Sequence, residues 1–248
     1  MRILLIALLT IAGLAPASAA DLKLLTAGAF KPVAQELATE FEKRTGHKVT
    51  IENDTAGGVA RRIRDGEYFD VAVIPPLALG PFLGGRLVES SAKALARVGI
   101  GVAIKQGAPV PDISTVDAWK QSLLKARAIA YTDPASGGTA GTYLANLFEK
   151  MGIAAELRPK TVLVKGGLAA EKLISGEADI AMQPTSELLA VPGAQLVGPI
   201  PLEVQTYILY SGAVSSGARD QAAADALLRA LWGPDKEALL KKKGMELP

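Results

Sequence analysis

The 248-residue chain has no cysteine, one histidine and few aromatic side chains, and each shortage removes a class of function. Without cysteine there is no disulfide, no thiolate nucleophile and no thiolate metal site. The one histidine, His47, sits in Arg44-Thr45-Gly46-His47-Lys48. That reads as a helix-to-strand turn, so histidine-dependent triads and zinc sites lose their usual members. An aromatic content of 5% argues against a surface on which sugar rings stack. No sign of charge dominates either: 27 basic and 25 acidic residues leave +2, which argues against a nucleic-acid partner. No catalytic residue, metal or cofactor is expected.

Long apolar runs are also scarce. Only the beginning of the chain has one, with Arg2, an apolar stretch over residues 3–14 and the small-residue site Ala17-Ser18-Ala19. This is the pattern of a secretory signal rather than of a span, which requires roughly 20 apolar residues. Cleavage after Ala19 or Ala20 is expected, releasing a protein of net charge +1 into the periplasm. An exported chain without disulfides must rely on its core, and 49% hydrophobic residues supply an Ala/Val/Leu/Ile core.

What is present is organised around residues 131–142, Tyr-Thr-Asp-Pro-Ala-Ser-Gly-Gly-Thr-Ala-Gly-Thr. A short apolar run precedes it, and Ala140, Tyr143, Leu144, Leu147, Phe148 and Met151 follow at helical spacing up to Gly152. Strand, glycine-rich loop and helix place Ser136, Gly137, Gly138 and Thr139 at a helix N-terminus, where unpaired N–H groups and the helix dipole suit an anion. A plain turn and cap would use the same residues. The repetition of the arrangement favours the site.

Leu37-Ala38-Thr39-Glu40-Phe41-Glu42-Lys43 is echoed by Leu144-Ala145-Asn146-Leu147-Phe148-Glu149-Lys150. Gly66-Glu67 with Asp70-Val71-Ala72 is echoed by Gly176-Glu177 with Asp179-Ile180-Ala181, and Gly58 to Asp70 has the spacing of Gly167 to Asp179. Two successive strand–helix units agreeing in order and spacing predict an α/β fold of two similar lobes with a central ligand cleft. Lobe I takes residues 21–100 and 208–248, and lobe II takes residues 101–207. Two hinge crossings are expected, in residues 97–104 and 203–214. In such sheets the ligand loops lie at the carboxyl ends of the strands. The expected site is Gly28, Ala29 and Phe30; Thr55, Ala56, Gly57 and Gly58; the loop from Ser136 to Thr139; Gly167 and Leu168 as backbone donors; and Gln183 just past a strand end. Lys165 is read either as a rim charge or as a surface lysine. Asp133 is read as a turn former, Trp232 as a packing residue and Lys241-Lys242-Lys243 as a solvated helix end.

The leader, Phe41-Glu-Lys-x-Thr-Gly-x-x-Val49, the glycines after Thr55, and the two Gly-Glu motifs together resemble the periplasmic molybdate-binding proteins of ABC importers. The similarity runs over nearly the whole mature chain. It implies a type II periplasmic-binding-protein fold, a small anionic ligand, an inner-membrane ABC permease as partner and a monomeric receptor. Molybdate binders usually hold the oxyanion with serines in the first two loops and a tyrosine in lobe II. Here the first loop is Ala27-Gly28-Ala29, the second begins Thr55-Ala56, and Met182-Gln183-Pro184-Thr185 fills the third region. A molybdate-like oxyanion and a small organic carboxylate both remain open as ligands. An enzyme on the same fold, acting on a small anion, is the alternative function.

Overall fold

A computed structural model describes residues 19–248, so the leader in residues 1–18 lies outside the described residues. The first lobe opens with β1 (Asp21–Ala27), α1 (Lys31–Thr45), β2 (Lys48–Asp54), α2 (Ala56–Arg64), β3 (Val71–Ile74) and α3 (Pro76–Leu79). β4 (Lys93–Lys105) leads into α4 (Val116–Lys125), β5 (Ile129–Thr132), α5 (Thr139–Lys150), α6 (Ala154–Leu157), β6 (Thr161–Val164), α7 (Glu171–Ile174), β7 (Ile180–Pro184), α8 (Thr185–Leu188) and β8 (Ala194–Pro199). β9 (Tyr207–Val214), α9 (Gln221–Ala230) and α10 (Glu237–Lys242) return the chain to the first lobe.

Helix α1 shows how the sequence fixes an element. Pro32 fits the first turn, where its missing N–H costs nothing. Val33, Ala34, Leu37, Ala38 and Phe41 form the buried face. Gly46 stops the helix at φ 79°, a left-handed conformation open to glycine, and donates its N–H to the Glu42 carbonyl.

The strands join in the order β2-β1-β3-β9-β4-β7-β5-β6, with β8 on β4. β1 pairs in parallel with β2 and β3, and β5 pairs in parallel with β6 and β7. Each trio is extended by one antiparallel strand, β9 on β3 and β4 on β7. The two Gly-Glu motifs do the same work in each lobe. Gly66 and Gly176 turn the chain at φ 89° and 78°. Asp70 then accepts the Lys23 N–H at 2.7 Å, and Asp179 accepts the Arg127 N–H at 2.9 Å, locking the start of the central strand in both trios.

β4 belongs to both lobes: Lys93 to Gly99 pair with β9, and Ile100 to Lys105 pair with β7 and β8. This is the first crossing. The second is residues 200–206 rather than the whole of 203–214, because β9 pairs only with β3 and the lobe I half of β4. Gln205 ties the two crossings together. Its Oε1 accepts the Ile100 N–H and its Nε2 donates to the Ile100 carbonyl, both at 2.9 Å, so one side chain imitates a paired strand. Gln205→Ala should lower stability by about 1 to 3 kcal/mol in a denaturant titration, since both partners on Ile100 are partly buried.

Two surface expectations change. Trp232 is 40% exposed rather than packed between elements. Lys242 and Lys243 are not merely solvated, because both pair with Glu36 on α1, at 3.3 and 2.9 Å. Beyond them Glu246 exchanges two backbone hydrogen bonds with Arg97, fastening the end of the chain to β4 beside the crossing.

Candidate functional site

The carboxyl ends of the parallel strands open onto a cleft of about 440 Å³ between the lobes. Gly28, Ala29, Thr55 and Ala56 line it from lobe I, and Gly138, Thr139, Gly167 and Leu168 from lobe II. The loop before α5 is built by its own polar groups. Asp133 Oδ1 accepts the Ala135 N–H, the Ser136 hydroxyl donates to the Asp133 carbonyl, and Gly137 turns the chain at φ 79°. That leaves Gly138 as the cap of α5, with the N–H groups of Gly138, Thr139 and Ala140 donating to no protein acceptor among the described residues. On the other side Thr55 caps α2 through the Gly58 N–H at 3.0 Å, and Ala56, on the cleft wall, has an N–H that donates to no protein acceptor among the described residues. Gly166, Gly167 and Leu168 contribute three more N–H groups without a protein acceptor among the described residues, from a loop in which Gly167 has φ 87°. Three converging sets of donors are an arrangement suited to negative charge.

The other six proposed residues have different jobs. Phe30 is fully buried beneath the cleft, stacked on Tyr210 with ring centroids 6.3 Å apart. Gly57 donates its N–H to the Gly137 carbonyl at 3.1 Å, and the Thr55 hydroxyl donates to the Ser136 carbonyl. These three residues and Ser136 therefore join lobe to lobe, and the lobes stand closed. Gly58 is held by its cap, with no space for a side chain beside the Asp54 carboxylate. Gln183 is buried and its amide is spent inside lobe II: Oε1 accepts the Ala169 N–H at 2.6 Å, while Nε2 donates to Thr132 Oγ1 and the Gly167 carbonyl. It shapes the 166–168 loop from behind and is not on the cleft wall. Lys165 is exposed and off the cleft wall.

The charged groups on the wall are Lys31, Asp54, Glu171 and Glu187. Lys31 opens α1 and has no acidic partner among the described residues. Glu187, on α8, retains some exposure toward the cleft but is otherwise surrounded by protein. Burial pushes its carboxyl up to about 8. Tyr210, whose ring is buried, is raised well above the usual phenol range, first by burial and then by the nearby Glu187 charge. No group of three potential metal-ligating His, Cys, Asp or Glu residues occurs among the described residues.

Residues 22–246 match the family model described as bacterial extracellular solute-binding protein. The chain belongs to this family. The solute-binding protein is 35% identical over 232 residues to an aconitate isomerase from Pseudomonas sp., covering 91% of this chain and 87% of that one. Its fold is that of the Azotobacter vinelandii periplasmic molybdate-binding protein, with TM-score 0.77 and 21% identity over 92% of this chain and 99% of that one. The sulfate-binding protein SubI from Mycobacterium tuberculosis superposes with TM-score 0.74 and 15% identity, covering 92% and 87%.

Several groups on the cleft wall of the solute-binding protein escape a reading of the sequence. Lys31 follows Phe30 directly, and a lone lysine ahead of Pro32 was the available signal. Thr132 and Asn53 stand just before recognised loops. Glu187 and Tyr210 carry no local signal: one lies in a four-residue helix, the other within a strand, and folding alone brings them together.

Proposed function

We propose that this solute-binding protein is an exported, monomeric receptor that closes its lobes on a small organic polycarboxylate and delivers it to an inner-membrane ABC permease. Solute-binding proteins of this family bind small ligands for such permeases. The observation that carries the choice of an anion is the convergence of unpaired N–H groups from Ala56, residues 138–140 and residues 166–168 on a cleft containing Lys31. Two points favour a carboxylate over a tetrahedral oxyanion. A cleft of about 440 Å³ lies in the range of organic-ligand pockets, and the 35% identical relative is named for aconitate, a tricarboxylate. The molybdate-binding protein, at 21% identity, speaks for the fold alone.

A thermal-shift panel of citrate, both aconitates, simple dicarboxylates, molybdate and sulfate, with an amine and a neutral sugar as controls, tests this. A ligand at 100 times its Kd stabilises by about 2.7 kcal/mol. The largest shift should come from a di- or tricarboxylate, and a largest shift from the sugar or the amine removes the anion. Thr139→Val keeps the shape of the helix start and deletes a hydroxyl. It should weaken carboxylate binding about 5- to 150-fold by calorimetry, the equivalent of about 1 to 3 kcal/mol.

One observation favours a second reading, an isomerase acting on an unsaturated carboxylate in the same cleft. Glu187 is a carboxyl able to hold or release a proton near neutral pH, as an acid–base step requires, and the relative is an isomerase. Proton NMR of cis-aconitate incubated with the protein decides it, since the trans isomer either accumulates or does not.

A further inference from the structure

We propose that Glu187 is a proton-carrying ligand group: when the lobes close, its carboxyl holds a proton and donates it as a hydrogen bond to a carboxylate of the bound anion. The inference rests on the carboxylate reading above and specifies how that site tolerates an acidic wall.

Glu187 projects from lobe II toward Gly28 of lobe I, where any side chain at position 28 would collide with its carboxyl. Closure therefore sandwiches this group between the lobes. Among the described residues no hydrogen bond or cation engages it, and burial is what acts on it. The Tyr210 hydroxyl, from β9 on the opposite lobe, likewise has no hydrogen-bond partner among the described residues and is close enough to feel the Glu187 charge. Two polar groups from two lobes thus line one cavity with no hydrogen-bond partner among the described residues, and neither is sealed from the cleft, so both are open to a ligand there.

An ionised Glu187 would repel a bound carboxylate, and a protonated one is a donor to it. The surroundings favour the protonated form. Helix α8 packs on β4, β7, β8 and the turn Gly28–Phe30. β7, β8 and that turn carry no titratable side chain, and Lys93, Arg97 and Lys105 of β4 stay off the cleft wall. Within the cleft the facing groups are Tyr210, Lys31, Asp54 and, at the rim, Glu171. On the outer side of α8 lie Lys242 and Lys243, both occupied by Glu36. No cation is paired with Glu187 to hold it ionised.

In the open cleft water returns, and the carboxyl falls back toward its ordinary value of 4.5, whereas in the closed one it stands at about 8. Between these values closure takes up a proton. Affinity is then greatest at low pH and declines as pH rises through the window, by up to about tenfold per pH unit.

Calorimetry with citrate, in buffers of different ionisation enthalpy from pH 5 to 8, measures the uptake directly. Citrate's own ionisation is subtracted by running Glu187→Gln in parallel. The wild type should take up close to one proton more than Glu187→Gln, whose affinity follows only citrate's own ionisation. Glu187→Asp, which restores a carboxyl, should regain part of the pH dependence. Tight citrate binding with equal proton uptake in wild type and Glu187→Gln overturns the role of Glu187 and leaves the carboxylate receptor standing. Absence of binding by citrate and by every carboxylate of the panel, with both proteins folded by circular dichroism, overturns the carboxylate reading and this inference with it.

Discussion

Gly57→Leu should abolish ligand capture while leaving the protein as stable as before. In the closed form a Cβ on Gly57 would stand 3.0 Å from the Gly137 Cα and 3.3 Å from its carbonyl oxygen, so even a methyl is tight and an isobutyl group has no place. The obstruction exists only between lobes. Within lobe I the residue is the second of α2, where exchanging glycine for leucine favours the helix by up to about 1 kcal/mol. A wedge at this point holds the cleft open and separates the Ala56 donor from those of residues 138–140. Affinity should fall at least about 100-fold, the equivalent of losing on the order of 3 kcal/mol of contacts from one lobe. Calorimetry reads the affinity, and small-angle scattering should show no compaction at ligand concentrations that compact the wild type. Normal affinity in a folded variant would mean that the Gly57–Gly137 contact is no part of capture.

Gly141→Val should have the opposite profile, a folding defect that precedes any question of binding. Helix α5 lies so close to β5 that a Cβ at Gly141 would fall within the Thr132 carbonyl oxygen, which is backbone and cannot swing aside. The helix would have to lift off the sheet, carrying with it the contacts of Ala140, Leu144 and Phe148 in the core. Overpacking of this kind typically costs 1 to 3 kcal/mol, and an immovable obstacle puts this case at about 3 kcal/mol or more. For a chain of this length that lowers Tm by roughly 6 to 12 °C. Scanning calorimetry with a Tm within two or so degrees of wild type would show that α5 can shift without loss.

Much of this fold is written in local grammar. The Gly-Glu motifs at 66 and 176 predict a duplicated turn, and the positive φ of both glycines and the matching Asp70 and Asp179 bonds have local causes. Residues 138 and 139 are legible for the same reason, since a glycine-rich loop before an amphipathic run places its N–H groups wherever that helix points. The rest depends on tertiary contacts that no spacing reveals. Gln183 has the chemistry of a ligand group, yet its amide is consumed by Thr132, Gly167 and Ala169. Gly57 and Gly137 have the chemistry of an anion loop, and their actual partner is each other. Glu187 looks like any surface glutamate until the opposite lobe covers it.

The exchange of strands between the two trios has a consequence for the order in which the molecule is built. β4 follows β3 in the chain but extends β7's trio, and β9 follows β7's trio but extends β3's. Each half therefore gives its last strand to the other, as two subunits do in a swapped dimer, here within a single polypeptide. As the chain emerges N-terminus first, lobe II has all its strands once β8 is out, whereas the free edge of β3 waits for residues 207–214. That edge is an invitation to intermolecular pairing until residues 207–214 cover it. Truncations ending between residues 200 and 206 would leave the β3 edge bare, and such a chain should aggregate where the full chain does not.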